Sequence, residues 1–445
     1  MKSRASFMLL VIAVLVVTLS GCTTLSRKNA VPHEVQSQAQ IEGMPGVRYK
    51  FFSHTGLEAM MKDLRAGMNS QEGFIDKNAT TRANYLSISG GGDNGAFGAG
   101  LLVGWTERGD RPEFNLVTGV STGALIAPFA FLGSDYDYVL KRVYTEVNPS
   151  DVFINNGLMG ALFSDSFADT TPLYRLITEY VNEDLLKKIA DEYTQRNRWL
   201  LVASTNLDAG VPTLWNMGKL ASVGTPEALQ LFRKILLASS AIPGAFPPVM
   251  IDVVADGKHY QEMHVDGGAT MEVFLYPTAL GAEARRQNVL SPYRDRQAYI
   301  IRNARLDSEW REIERNTLSI MGRAVDQLIQ SQGYGDLQRI YLTTKRDHIG
   351  FNLAYIGPDF KEPHTGSFDR KYMNALYNYG RVLARAGYPW AQTPPGFDHA
   401  LNDDVRVQVN RQRQLLKGQP ASQPAGKIAC PAGAYGSLGT TACVL

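Results

Sequence analysis

The chain is poor in cysteine, lacks metal-binding patterns and is nearly neutral. Cys22, Cys430 and Cys443 are the only cysteines in 445 residues. They lack metal-ligand spacing, and the seven histidines form no H-x-x-x-H pair, so spacing implies no metal site. The formal net charge is +2, and no basic run carries interleaved aromatics. Nucleic-acid binding by bulk electrostatics is therefore excluded. No internal repeat occurs, and no apolar run is long enough for an ordinary helical membrane span. What is there is a globular composition, 44% apolar and 20% charged, long for one domain but compatible with one large domain plus extensions.

Lys2 and Arg4 precede an apolar run from Phe7 to Leu19, which has the form of an export-signal core. It ends in Leu19-Ser20-Gly21-Cys22. This resembles a bacterial lipoprotein signal, with residues 1–21 removed and Cys22 lipidated as the first residue of the mature chain. A plain secretory signal is the alternative. Each buried CH₂ of such an anchor contributes roughly 0.8 kcal/mol, so several acyl chains hold firmly to a membrane. Thr23, not an aspartate, follows the cysteine. By resemblance to enterobacterial sorting, that implies the outer membrane of a bacterial envelope, facing the periplasm. Export implies an oxidising compartment. There Cys430 and Cys443 either close a short loop, contributing about 3 kcal/mol in the chain-entropy estimate, or remain two free thiols.

Residues 22–81 read as a polar tether with a first helix at Gly56–Leu64. The catalytic domain is expected over 82–285. An extension packed on it covers 286–400, and a polar tail with the cysteine loop covers 401–445. Leu86 and Ile88 alternate with Ser87 and Ser89 as in a strand. Gly95–Trp105 reads as a helix packed tightly on the sheet, and Asn115–Val120 as a second strand. Gly123–Leu132 reads as a buried helix that Pro128 should kink. Thr171–Tyr193 is helical. Trp199–Thr205 has the continuous apolar character of a buried parallel strand. Leu229–Ser239 is helical and runs into an irregular Ala241–Pro248. Short strands follow at Met263–Val265 and Ala298–Arg302. Glu309–Gln332 reads as an amphipathic helix, Arg339–Thr343 as extended and Asp369–Ala386 as a helix. Strands alternating with helices predict an α/β fold: a mostly parallel sheet with helices on both faces and a helical, mixed C-terminal extension.

Gly119-Val120-Ser121-Thr122-Gly123 follows a strand and opens an apolar helix, the setting of a nucleophile elbow. Ser121 would stand at a helix N-terminus, where the dipole favours developing negative charge. Upstream, Gly90-Gly91-Gly92-Asp93-Asn94-Gly95 lies between a strand and a helix. Its backbone N–H groups suit an oxyanion or, taken alone, a phosphate. With the serine elbow following it, the oxyanion reading is favoured. Asp266-Gly267-Gly268 ends a short strand. An aspartate beside a serine hydroxyl serves as a general base, best when burial raises its pKa. Taken alone, the same residues are an ordinary Asp-Gly turn.

These three motifs, in this order, resemble the patatin-like phospholipases. Ala238–Pro248 is similar to the family's segment before the aspartate, and Thr205-Asn206-Leu207-Asp208 to another recurring stretch. The resemblance covers Ala83–Leu280, with Asp369–Gly387 similar to a family-type C-terminal helix. It implies a three-layer patatin-like fold and a Ser–Asp dyad of Ser121 and Asp266. It also implies an oxyanion hole lined by Gly90, Gly91 and Gly92, and hydrolysis of a lipid acyl ester without metal or organic cofactor. Asn94 departs from the family, where many members carry Arg or Lys, and so favours a neutral lipid or simple acyl ester over a phospholipid.

Two other readings compete. An α/β-hydrolase triad would take its histidine from His348, His364 or His399. His264 reads as a strand side chain. A non-catalytic anchored lipoprotein, binding lipid or an envelope partner, has only Asn94 in its favour.

Overall fold

The computed structural model describes residues 27–69, 82–155, 166, 168–287, 295–307, 310 and 312–397. The signal segment, Cys22, Cys430 and Cys443 lie outside them. The chain divides into two compact units at Pro395, and every element named here belongs to the first.

Eleven strands are present among the described residues: β1 Arg48–Lys50, β2 Ala83–Ile88, β3 Leu116–Val120, β4 Ile154–Asn155, β5 Ala168–Asp169, β6 Trp199–Asn206, β7 Val211–Asn216, β8 Val249–Ala255, β9 Lys258–Asp266, β10 Arg296–Arg305 and β11 Gly350–Ile356. Nine of them build one sheet in the order β1-β7-β6-β3-β2-β10-β11, with β9 pairing β6 and β8 pairing β9. From β6 to β11 all neighbours are parallel. The β1, β7, β8 and β9 pairings are antiparallel. All eight residues of β6 are buried, as expected of a strand covered on both faces.

Alternate residues feed two cores. Leu200 and Val202 join the side covered by helices α2 Gly95–Arg108, α3 Thr122–Leu132, α4 Glu183–Arg196 and α5 Pro226–Ser239. Leu201 and Ala203 join the side covered by α1 His54–Asn69. Farther along that face, Ala298 and Ile300 meet α6 Thr317–Asp347. The result is the three-layer α/β fold with a mostly parallel sheet that the motif order implies.

Several local expectations give way. Residues 27–51 are docked and do not behave as a tether. Val31, Ile41, Met44 and Val47 are buried in the core, Gln40 pairs with Val254, and β1 adds an edge strand to β7. Residues 286–400 do more than pack on the outside, because they supply β10 beside β2. Arg339–Thr343 is not extended but lies in α6. Burial of Leu337 and Ile340 outweighs the weak helix propensity of Thr343 and its neighbour Thr344. Their hydroxyls donate back to the Arg339 and Tyr341 carbonyls at 2.7 and 2.8 Å. The glycines of α2 face the last helix, α7 Arg370–Gly387, as well as lying over the sheet. Side chains at Gly100 and Gly104 would strike the Tyr377 and Arg381 carbonyls. α3 runs through Pro128.

Candidate active site

The carboxyl ends of β2, β3, β6 and β10 converge with the end of β9. Val120 pairs with Ala203 and Ser204 with Asp266, so neighbouring strands bring Ser121 and Asp266 to one place. Ser121 turns the chain between β3 and α3 with φ 54° and ψ −126°. A non-glycine residue held there stores about 1–3 kcal/mol of strain. The turn survives because its flanks are tiny. A Cβ on Gly119 would strike the Gly123 carbonyl, and one on Gly123 the Ile88 carbonyl. The Ser121 N–H donates to the Ser239 hydroxyl at 3.0 Å.

Asp266 is buried. Its Oδ1 accepts the Gly268 N–H at 2.7 Å, while its buried Oδ2 has no hydrogen-bond partner of normal geometry. Burial pushes its pKa up to about 7, opposed by the Ser121 side chain and then the Gly268 N–H. The serine hydroxyl thus faces the carboxyl without a fully formed bond, a common state of catalytic pairs before substrate arrives. A second buried carboxyl, Glu272, lies against the same glycines. Burial and the Asp266 charge push it up to about 8, against the pull of Arg302.

The glycine loop is fixed on three sides. Gly91 has φ 142°, and a Cβ there would strike the Asn303 carbonyl. Asn303 donates its N–H to the Ser89 hydroxyl at 2.8 Å and its Nδ2 to the Ser89 carbonyl at 3.0 Å. Its Oδ1 accepts the Gly98 N–H at 3.0 Å. Asp93 accepts the Phe368 N–H at 2.7 Å and bonds His364 Nε2 at 2.8 Å. The Tyr372 hydroxyl donates to Asn94 Oδ1 at 2.7 Å. The three glycines are not equivalent. Gly90 already gives its N–H to the Glu272 carbonyl at 3.1 Å. No hydrogen bond among the described residues takes the N–H of Gly91 or Gly92, and beside Gly92 there is open space. Those two N–H groups are left able to donate, whereas that of Gly90 is already taken within the loop. Gly95 opens α2, and Gly267 and Gly268 form the turn after Asp266.

The histidines stand elsewhere. His264 is fully buried between the Ser204 hydroxyl and Glu262. His348 caps α6, His364 bonds Asp93, and His399 lies outside the described residues. No group of three His, Cys, Asp or Glu side chains able to hold a metal ion occurs among the described residues. The sequence reading missed Ser239, Glu272, Asn303 and the His364 contact. Only Ser239 had a signal, lying in the segment already singled out before the aspartate.

Residues 86–278 match the family model described as Patatin-like phospholipase. No curated protein matches the chain. Among solved structures, VipD from Legionella pneumophila is similar over 69% of this chain and 67% of its own, at 10% identity and a TM-score of 0.34. The match makes the domain at residues 86–278 patatin-like, the fold of a family of lipid acyl hydrolases.

Proposed function

We propose that this chain hydrolyses a lipid acyl ester through a Ser121–Asp266 dyad and a covalent acyl-enzyme. The observation that carries the reading is a strained serine elbow facing a buried aspartate whose pKa lies near 7. Asp266 takes the hydroxyl proton as Ser121 Oγ attacks the ester carbonyl. The oxyanion is received by the N–H groups of Gly91 and Gly92, where losing one donor typically costs about 2.7–4 kcal/mol of barrier. Asp266 then returns the proton to the leaving alkoxide. Water, activated by the same carboxylate, releases the acid and restores the serine.

Asn94 supports a neutral lipid or simple acyl ester, since its amide is held by Tyr372 and brings no cation to the loop. The signal ending at Cys22 supports a lipid-anchored envelope protein, in the outer membrane and facing the periplasm. The decisive experiment compares hydrolysis of p-nitrophenyl esters by the wild type, Ser121→Ala and Asp266→Asn. Both substitutions should abolish turnover with folding intact. Equal turnover by wild type and Ser121→Ala would leave a non-catalytic, lipid-binding lipoprotein as the better reading.

A further inference from the structure

Glu272 is an acidic residue in a place with no evident use for a charge. It is 5% exposed. Both its carboxyl oxygens lie 3.1 Å from the position a Cβ on Gly90 would take, and the Ser121 Cβ lies 3.1 Å from that same point. On the other side, its Oε2 lies 3.0 Å and Asp266 Oδ1 3.1 Å from the Cβ position of Gly268. The carboxyl is thus wedged between the glycine loop, the elbow and the aspartate. Its backbone is fixed at both ends: Glu272 N–H donates to Asp336 Oδ2 at 2.8 Å, and its carbonyl accepts the Gly90 N–H.

The charged groups facing it do not neutralise it. Asp266 comes from the end of β9, Asp336 from α6 and Arg302 from β10. Arg339 pairs with Asp336 at 3.3 Å. Arg302 is fully buried, its Nε and Nη1 carry no partner, and its Nη2 donates to the Gln330 carbonyl at 3.3 Å. Asp336 thus has Arg339, and Arg302 is the one cation left to face both Glu272 and Asp266 away from water. Two carboxyls this close do not both ionise readily, and their protons leave in steps that belong to the pair.

We propose that Glu272 is a positioning residue that shares one proton with Asp266, stays neutral while Asp266 acts on Ser121, and sets the alkaline limit of the reaction. This rests on the Ser–Asp reading above. A neutral Glu272 leaves a single negative charge beside Ser121. Once Glu272 loses its proton to solvent, a second charge stands against Gly90, next to the loop where the oxyanion forms. In a dry site that opposes the transition state directly. The values of about 7 for Asp266 and about 8 for Glu272 leave the one-proton state a narrow working window.

The test is the pH profile of kcat/KM on a soluble short-chain ester for wild type, Glu272→Gln and Glu272→Asp. The wild type should fall on the alkaline side by about tenfold per pH unit. Glu272→Gln should keep the ascending limb and lose the descending one, and Glu272→Asp should bring the descending limb back. An unchanged descending limb in Glu272→Gln overturns the proposal. So does a folded Glu272→Gln with no activity at any pH, because a neutral isostere should function. Should Glu272→Gln fail to fold, infrared spectra of the wild type decide. A protonated-carboxyl band at neutral pH that disappears above about pH 8 is expected, and its absence overturns the pair. That band needs no turnover, so it is read independently of whether Ser121→Ala abolishes hydrolysis.

Discussion

The hydroxyl of Ser239 accepts the backbone N–H of Ser121 at 3.0 Å. It donates in turn to the Ala203 carbonyl at 2.6 Å. One small side chain at the end of α5 thus joins the elbow to β6, and it satisfies a donor that the positive φ of Ser121 turns away from any ladder. Ser239→Ala would leave two buried backbone groups unsatisfied, at about 1–3 kcal/mol. The expected outcome is a modest drop in Tm with a fall in kcat of roughly tenfold or more and little change in KM, since binding surface is untouched and only the nucleophile's aim is lost. Steady-state kinetics on a soluble ester check it. An effect confined to KM would remove Ser239 from the positioning of Ser121.

Asp266 should set the acid side of the activity profile. Only the carboxylate can take the serine proton, and burial lifts its pKa to about 7. Log kcat/KM is therefore expected to rise with pH up to about 7, ahead of the alkaline fall assigned to Glu272. Asp266→Asn should lose at least 10²-fold, the low end of general-base contributions. A flat profile through neutrality, measured on an ester whose own hydrolysis is pH-independent in that range, would contradict the assignment.

The serine elbow and the strand-ending Asp266 are legible in the sequence because their backbone geometry forces local patterns. A tight elbow demands glycines at 119 and 123, and a strand-ending aspartate demands small residues after it. Glu272 left no such trace. A buried carboxyl and an exposed one look alike in a stretch without strand or helix period, and its neighbours Arg302 and Asp336 come from distant elements. Asn303 is silent for the same reason. The sheet's parallel centre was readable from the continuous apolar run of β6. β1, three residues long, and β11 at Gly350–Ile356 were not. β1 is too short for a period to show, and β11 was not singled out although its seven residues are long enough. Residues 27–52 make ion pairs with Asp208, Asp252 and Glu262 and bury Val31, Ile41, Met44 and Val47 in the core, against partners far along the chain.

The buried acids should also cost stability as pH rises. Glu272 has its pKa raised from 4.5 to about 8 in the fold. A raised acid contributes stability that is complete below its unfolded pKa and lost as pH climbs through the folded one. Glu272→Gln removes that loss. Its stability relative to wild type should improve progressively between about pH 4.5 and about pH 8, by an amount on the order of a few kcal/mol, seen as a rising difference in Tm. Thermal unfolding across that range checks it, and a difference independent of pH would show that Glu272 is protonated equally in both states.

Arg48 and Glu262 make the opposite case. Arg48 Nη1 contacts Glu262 Oε2, its Nη2 reaches Oε1 at 3.2 Å and the Ala39 carbonyl at 2.9 Å, and the guanidinium lies over Trp215. Glu262, with a side chain 3% exposed, has its pKa lowered to about 2. Burial opposes that shift, while bonds from His264 and the charge of Arg48 prevail. This acid contributes stability above about pH 4.5 that fades as pH falls towards about 2. Arg48→Met would strand a buried carboxylate and should destabilise by about 3–5 kcal/mol at neutral pH, read as a lower Tm and a lower denaturant midpoint. Arg48→Met combined with Glu262→Leu should recover most of that loss, because an apolar pair removes the uncompensated charge along with its partner. The cycle also tests whether the N-terminal segment belongs to the fold. A mere tether would let Arg48→Met pass without effect, whereas an edge strand clamped to β9 four residues from Asp266 should carry the damage into the acid assigned to Ser121.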